Sequence, residues 1–233
     1  MSLVRRLAEK AARRANIDPY ENLFDVNTRE RLAKALSPRY LYAKIALLAH
    51  ERRNPDHPWL TRDAIERLDA YLDPQRHVGF EWGSGNGTVW LAKRLLHLTS
   101  VEHHPAWHRK ITAKLATDRI RNVDYRLVEE AHYCDPIAET ADGTLDFVLV
   151  DGLMRDEAIA CSMPKLRPGG WLVFDNVNWY LPSDSRTPHS RSFGRGPASP
   201  RWGEILRDLS GWACTWTTNG VNDTAIYAKP ADS

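Results

Sequence analysis

The segment Glu81-Trp82-Gly83-Ser84-Gly85-Asn86-Gly87-Thr88 constrains this chain more than any other. It follows the apolar run HVGFEW and leads into residues 88–98, where Val89, Leu91, Ala92 and Leu95 recur at helical spacing. A strand that turns through glycines directly into a helix is the opening unit of an open α/β sheet, whose ligands bind beyond the carboxyl ends of the strands. Gly83, Gly85 and Gly87 allow the backbone to approach a ligand that a Cβ would exclude.

The rest of the chain repeats that unit. The runs LTSVEH, VDYRLVEE, TLDFVLVDG and GGWLVFDNV are short and apolar and are separated by helical stretches around residues 107–116 and 155–166. This is the pattern of parallel strands joined by crossover helices. Pro168-Gly169-Gly170 reads as a turn into the fifth strand, and WACTWTT and TAIYAKP, joined by NGVND, predict an antiparallel hairpin. Before the first strand, RRLAEKAARRA, TRERLAKAL, RYLYAKIALLAHERR and TRDAIERLDAYL read as helices broken by prolines. The expectation is therefore an α/β, Rossmann-like sheet of seven strands, mostly parallel with a terminal antiparallel hairpin and with helices on both faces. Residues 76–233 form this domain, and residues 1–75 are a helical extension serving as cap, substrate cover or oligomer contact. Residues 182–200, rich in Ser, Pro, Gly and Arg, predict a long loop, either functional or disordered.

Composition narrows the function classes. Hydrophobic residues at 42% and charged residues at 27% match a globular domain, which argues against disorder. The net charge of +2 is spread along the chain without a basic patch, so no nucleic-acid partner is expected. No apolar run is long enough for a transmembrane segment, the opening residues lack the apolar core of a secretory signal, and a cytoplasmic location is expected. Cys134, Cys161 and Cys214 lack the spacing of a disulfide framework or a zinc site. The basic, amphipathic opening helix is expected to pack on its own domain or to make a homodimer contact, the alternative being that it lies on an anionic membrane surface.

The loop's chemistry points further. A dinucleotide site carries G-x-G-x-x-G with a pyrophosphate beside it; here the spacing is G-x-G-x-G, led by Glu81, which would repel a pyrophosphate and suits a cationic ligand. Glu102 closes the second strand, where an acid accepts hydrogen bonds from both hydroxyls of an adenosine ribose, and His103 follows, able to pack on adenine. The paired pattern, E-x-G-x-G-x-G and then an acid at the end of the next strand, resembles the class I S-adenosylmethionine-dependent methyltransferases over about residues 77–230. That resemblance implies S-adenosylmethionine as cofactor, held by Glu81, Gly83, Ser84, Gly85, Asn86, Gly87, Glu102 and His103, with Glu130 and Ala131 bordering adenine and Asp151 at the methionine end.

Asp151 ends TLDFVLVDG, and Asp175-Asn176 end GGWLVFDNV. This trio resembles the cation-binding set of the catechol and caffeoyl-coenzyme A O-methyltransferases, which implies Mg2+ on Asp151, Asp175 and Asn176. The pattern departs at Gly152-Leu153-Met154-Arg155, where those enzymes place a lysine base. Either Arg155 or a histidine has another role, or the site works without a metal. An oxygen acceptor must lose a proton, for which Asp151, Asp175 and the loop histidine His189 are candidates. Trp59 and Trp179-Tyr180 are placed to wall a pocket.

The segments FEWGSGNGTVWLAKR, SVEHHP and LRPGGWLVFDN also resemble bacterial methyltransferases of glycan or secondary-metabolite pathways, which implies a small-molecule acceptor, a sugar or natural-product hydroxyl. The alternatives are an NAD(P)-dependent oxidoreductase and a noncatalytic adenosine-ligand module on the same scaffold.

Overall fold

In the computed structural model of the chain, which describes residues 28–231, three helices precede the sheet: α1 (Thr28–Ala35), α2 (Pro38–Arg53) and α3 (Arg62–Tyr71). The helix expected over RRLAEKAARRA, and any dimer contact made through it, lie outside the described residues. Ser37 caps α2 by accepting the amide of Tyr40, and Pro38 takes the first turn, where a missing N–H costs nothing.

The sheet follows. Its strands are β1 (Val78–Trp82), β2 (His97–Glu102), β3 (Val123–Leu127), β4 (Leu145–Val150), β5 (Leu166–Asp175), β6 (Ala213–Thr218) and β7 (Asp223–Ala228). They lie in the order β3-β2-β1-β4-β5-β7-β6. The first five are parallel, and β7 inserts antiparallel between β5 and β6. The chain leaves β1 toward β2 and β3, then returns to β4 on the other side. The end of β1 is thus the topological switch point, where a crevice opens between loops that run in opposite directions.

Alternation along the strands builds two cores. Phe80, Trp82, Val148, Val150, Leu172 and Phe174 pack with Ile159 of α6 (Arg155–Ser162) and with Trp202 and Ile205 of α7 (Pro200–Asp208). Phe147, Leu149, Val173 and Ile226 pack on the opposite face with Ile65 and Leu68 of α3 and with Trp90 and Leu91 of α4 (Asn86–Ala92). The remaining crossover helix, α5 (Pro105–Thr117), buries Ile111 and Leu115 beside β2 and β3.

One local expectation changes. Pro168-Gly169-Gly170 lies within β5 rather than ahead of it, as an irregularity in the ladder: Leu145 pairs with Leu166, but Phe147 pairs with Trp171. Gly169, at φ +76°, absorbs the extra residues. Between β3 and β4 the crossover is made by 3-10 turns at Glu130–His132 and Asp135–Glu139. Among the described residues, no helix is long and apolar enough to cross a membrane.

Candidate active site

Register places the site. Val101, Trp82, Val150 and Phe174 form one paired row across β2, β1, β4 and β5. One residue further along, Glu102, Gly83, Asp151 and Asp175 therefore line the carboxyl rim of four adjacent strands. The row is tied by Gly83 N–H to the Val101 carbonyl at 3.0 Å and by Asp151 N–H to the Trp82 carbonyl at 2.9 Å. Gly83 stands at φ +89°, and a Cβ there would come within 2.6 Å of the Asp151 carbonyl oxygen. Only glycine permits that approach. Gly85, by contrast, is extended and faces open space.

Glu81 lies one residue before that row, and its ladder partner on β2 is Ser100, itself paired with Tyr125 on β3. The carboxyl group is buried and accepts the hydroxyls of Thr88 and Ser100, each at 2.6 Å, while Thr88 accepts the Gly85 amide at 2.9 Å. Glu81 thus holds the loop's shape from below. Burial pushes its pKa up to about 8, against the hydrogen bonds from Ser100 and Thr88, which favour the charged form. Gly87 rests on this carboxyl and on Pro58, and Asn86 donates to the Pro55 carbonyl at 2.9 Å.

The pH consequence has a definite sign. The folded-state pKa of Glu81 lies above its ordinary value of 4.5, so the folded state retains a proton that the unfolded chain releases first. Its contribution is therefore fully present below about pH 4.5 and is lost as pH rises toward 8, at about 1.4 kcal/mol per unit. Denaturant midpoints between pH 5 and 8 should fall with pH in the ligand-free protein and fall less in Glu81→Gln; equal slopes would refute the assignment.

Glu102 is buried as well, yet its carboxylate is held below the ordinary range. Hydrogen bonds from His103, from the amide of His104 and from Ser84 outweigh its burial. One oxygen accepts the amides of His103 and His104 at 2.8 and 2.7 Å, and the other accepts the Ser84 hydroxyl at 2.9 Å. Ser84 also meets the Tyr125 hydroxyl at 2.5 Å, and the Trp107 indole donates to its carbonyl at 2.6 Å. The two acids that flank the glycine loop are thus shifted in opposite directions, Glu102 toward the ionised form and Glu81 toward the protonated one. Glu130 and Ala131 are exposed in their 3-10 turn, and it is Tyr133, fully buried and edge-on to His103, that packs against Gly152.

At the ends of β4 and β5 the dominant group is Arg155, 2% exposed. It donates to Asp151 Oδ1 at 3.0 Å, Asn176 Oδ1 at 3.2 Å, and the carbonyls of Asp175 and Gly152 at 2.6 and 3.0 Å. Met154 and Asn176, on either side of this cluster, adopt left-handed backbone at φ +45° and +53°, a conformation that costs energy for residues other than glycine. The Asp175 carboxyl accepts the Thr224 hydroxyl at 2.6 Å, and burial together with the Asp151 charge pushes its pKa up. The residues expected to hold Mg2+ are otherwise engaged here: the guanidinium bonds Asp151 and Asn176, and Asp175 turns its oxygen to Thr224. Among the described residues, no group of three or more His, Cys, Asp or Glu side chains could hold a metal ion.

Loop 182–200 folds back on the end of β5, with Asn178 donating to Thr187 at 2.7 Å and accepting the Arg191 amide through its carbonyl at 3.0 Å. The His189 ring nitrogen meets the Arg31 guanidinium of α1 at 3.1 Å and lies beside Trp179. Burial and the charge of Arg31 lower its pKa to about 4, so it is neutral at pH 7. Trp59 is largely exposed, near Trp107.

Residues 80–177, from within β1 to just past β5, match the family model described as a methyltransferase domain. Over that segment the chain is similar to methyltransferase domains. Among solved structures, it resembles a candidate caffeoyl-CoA O-methyltransferase from Staphylococcus aureus at 14% identity and a TM-score of 0.54, over 98% of this chain and 100% of that one. A candidate methyltransferase from Escherichia coli aligns at 16% identity and a TM-score of 0.52, over 76% of this chain and 90% of that one. The precorrin 8W decarboxylase of Methanobacterium thermoautotrophicum aligns at 19% and 0.50, over 75% and 94%. These likenesses are of fold. No curated protein matches the sequence. The matched segment contains the glycine loop, Glu102, Asp151 and Asp175, whereas His189 and the helices before β1 fall outside the methyltransferase match.

Sequence reasoning did not single out Ser100, Tyr125, Tyr133 or Thr224. Ser100 and Tyr125 owe their role to strand register, which no local pattern displays. Thr224 reaches Asp175 only because β7 inserts beside β5.

Proposed function

We propose that this methyltransferase domain moves the methyl group of S-adenosylmethionine to a hydroxyl of a small molecule. One observation carries the reading: an ionised Glu102 and an acid-supported glycine loop meet at the switch point, and Gly85 faces open space between them. Gly83, Ser84, Gly85, Asn86 and Gly87 would form the backbone cradle, and Glu102 would accept the ribose hydroxyls, with His103 beside adenine and Glu130-Ala131 at its border. Bound there, the cofactor supplies an electrophilic methyl on a sulfonium, so the protein's remaining tasks are alignment and removal of the acceptor's proton. Asp151, about a quarter exposed, stands at the rim to receive that proton, with Asp175 behind it. His189, neutral and within the covering loop, is the second acceptor of a proton should Arg31 move aside. Helix α1, which reaches loop 182–200 through Arg31 and through Lys34 on Ser190, would cover the acceptor.

Calorimetry with S-adenosylhomocysteine, NAD(H) and NADP(H) tests the reading. Binding of the first and of neither dinucleotide is expected; the reverse would end it and favour an oxidoreductase. Gly85→Val supplies the site-specific control. Its backbone is extended, φ −173°, and its Cβ meets nothing within 4 Å, so the fold should tolerate the change within about 0.5 kcal/mol. Affinity for S-adenosylhomocysteine should nevertheless fall at least about tenfold, because the added methyls occupy the cradle.

A further inference from the structure

We infer that Arg155 is the resident cation of the β4–β5 rim, standing where a divalent ion would otherwise join Asp151 to the end of β5, so that the domain needs no metal to organise its acceptor side. The inference rests on the reading of this rim as the acceptor side of a methyltransferase.

Asp151 and Asp175 lie at the same level of adjacent strands, close enough for the charge of Asp151 to act on Asp175. Asn176 follows with its amide oxygen turned inward. Two carboxylates and an amide oxygen on neighbouring strand ends are a donor set of the kind hard divalent ions take. Here the guanidinium answers it. Its fork reaches Asp151 Oδ1 with one terminal nitrogen and Asn176 Oδ1 and the Asp175 carbonyl with the other, and its Nε holds the Gly152 carbonyl. A planar fork with several fixed donors suits oxygen atoms arrayed on two strand ends, and arginine stays charged at every working pH. A buried cation is retained only with such partners.

The chain also distorts to place it. Arg155 opens α6 directly after Met154, whose left-handed backbone turns the chain sharply from the end of β4, and Asn176 adopts the same conformation as it leaves β5. Two strained residues flank one guanidinium, as expected where placement of that group is what the local backbone serves. Arg155, 2% exposed, is a positioning residue that fixes Asp151 and the β5 end.

The probe is Mn2+ alone, followed by electron paramagnetic resonance of free ion and by calorimetry on the full chain. Wild-type protein is expected to show no saturable Mn2+ binding up to millimolar concentrations. Arg155→Ala removes the cation and leaves the oxygens, and is expected to gain one Mn2+ site with a dissociation constant on the order of 1 mM or tighter. That site should be lost again in Arg155→Ala with Asp151→Asn. Arg155→Lys should stay metal-free, since an ammonium still supplies the charge. Stoichiometric Mn2+ binding by wild type that Asp151→Asn abolishes would overturn the inference, as would a folded Arg155→Ala that gains no site. Should Arg155→Ala fail to fold, the wild-type and Arg155→Lys titrations decide alone. The metal titration is independent of S-adenosylhomocysteine binding, so failure here and failure of the methyltransferase reading are distinguishable on the same samples.

Discussion

Gly83→Ala is expected to destabilise the protein by about 3 kcal/mol or more, which for a chain of this size lowers the melting temperature by roughly 6–12 °C. The new Cβ would sit 2.6 Å from the Asp151 carbonyl oxygen and 2.7 Å from the Gly152 Cα, both backbone atoms on the neighbouring strand end. A rotamer change cannot relieve such a clash. The φ of +89° adds strain of its own, because L residues rarely adopt it. Relief would require β1 and β4 to separate at the rim, breaking the bond from the Asp151 amide to the Trp82 carbonyl. Gly85→Ala, two residues on, is the paired control: extended backbone and open space predict a melting temperature close to wild type. Thermal unfolding of both variants checks the contrast, and equal melting temperatures would refute the close packing at Gly83.

The second large effect concerns ligand affinity. Glu102→Ala is expected to weaken S-adenosylhomocysteine binding about 100-fold or more, since two charge-assisted hydrogen bonds at about 1.5–3 kcal/mol each are lost. Alanine also strips the His103 and His104 amides of their acceptor, so part of the loss would come from a loosened strand end. Glu102→Gln separates the two causes. Its amide oxygen can still accept both amides, and its NH2 can donate to Ser84, which keeps the fold while removing the charge. An intermediate weakening of about tenfold with an unchanged melting temperature is expected. If glutamine bound as tightly as wild type, the carboxylate charge would have no part in ligand binding.

The glycine loop, the two acids around it and the succession of strands along the chain are legible because each rests on a local pattern. Apolar runs of strand length, glycines at alternate positions and an acid at a strand end are all visible within about ten residues. The turn expected at Pro168-Gly169-Gly170 misread a bulge, since glycine and proline mark departures from regular backbone without saying whether the strand resumes. Between β3 and β4 the sequence shows no helical periodicity, and the crossover is made with 3-10 turns at Glu130–His132 and Asp135–Glu139.

Arg155 shows the limit most clearly. The sequence displayed that an arginine follows Met154, and no periodicity says which way that side chain points. Its direction follows from the left-handed turn at Met154 and from the nearness of β5, a strand that ends twenty residues later in the chain. The tie between Glu81 and Ser100 is of the same kind, a matter of parallel register between β1 and β2. Alone, the sequence determined the sheet class, the switch-point loop and the identity of the acids on it, because backbone propensity and hydrophobic alternation act between near neighbours. Only the tertiary structure decided which acid is ionised, which is protonated and what cation the rim holds, because burial, register and long-range hydrogen bonds exist only once distant strands lie side by side.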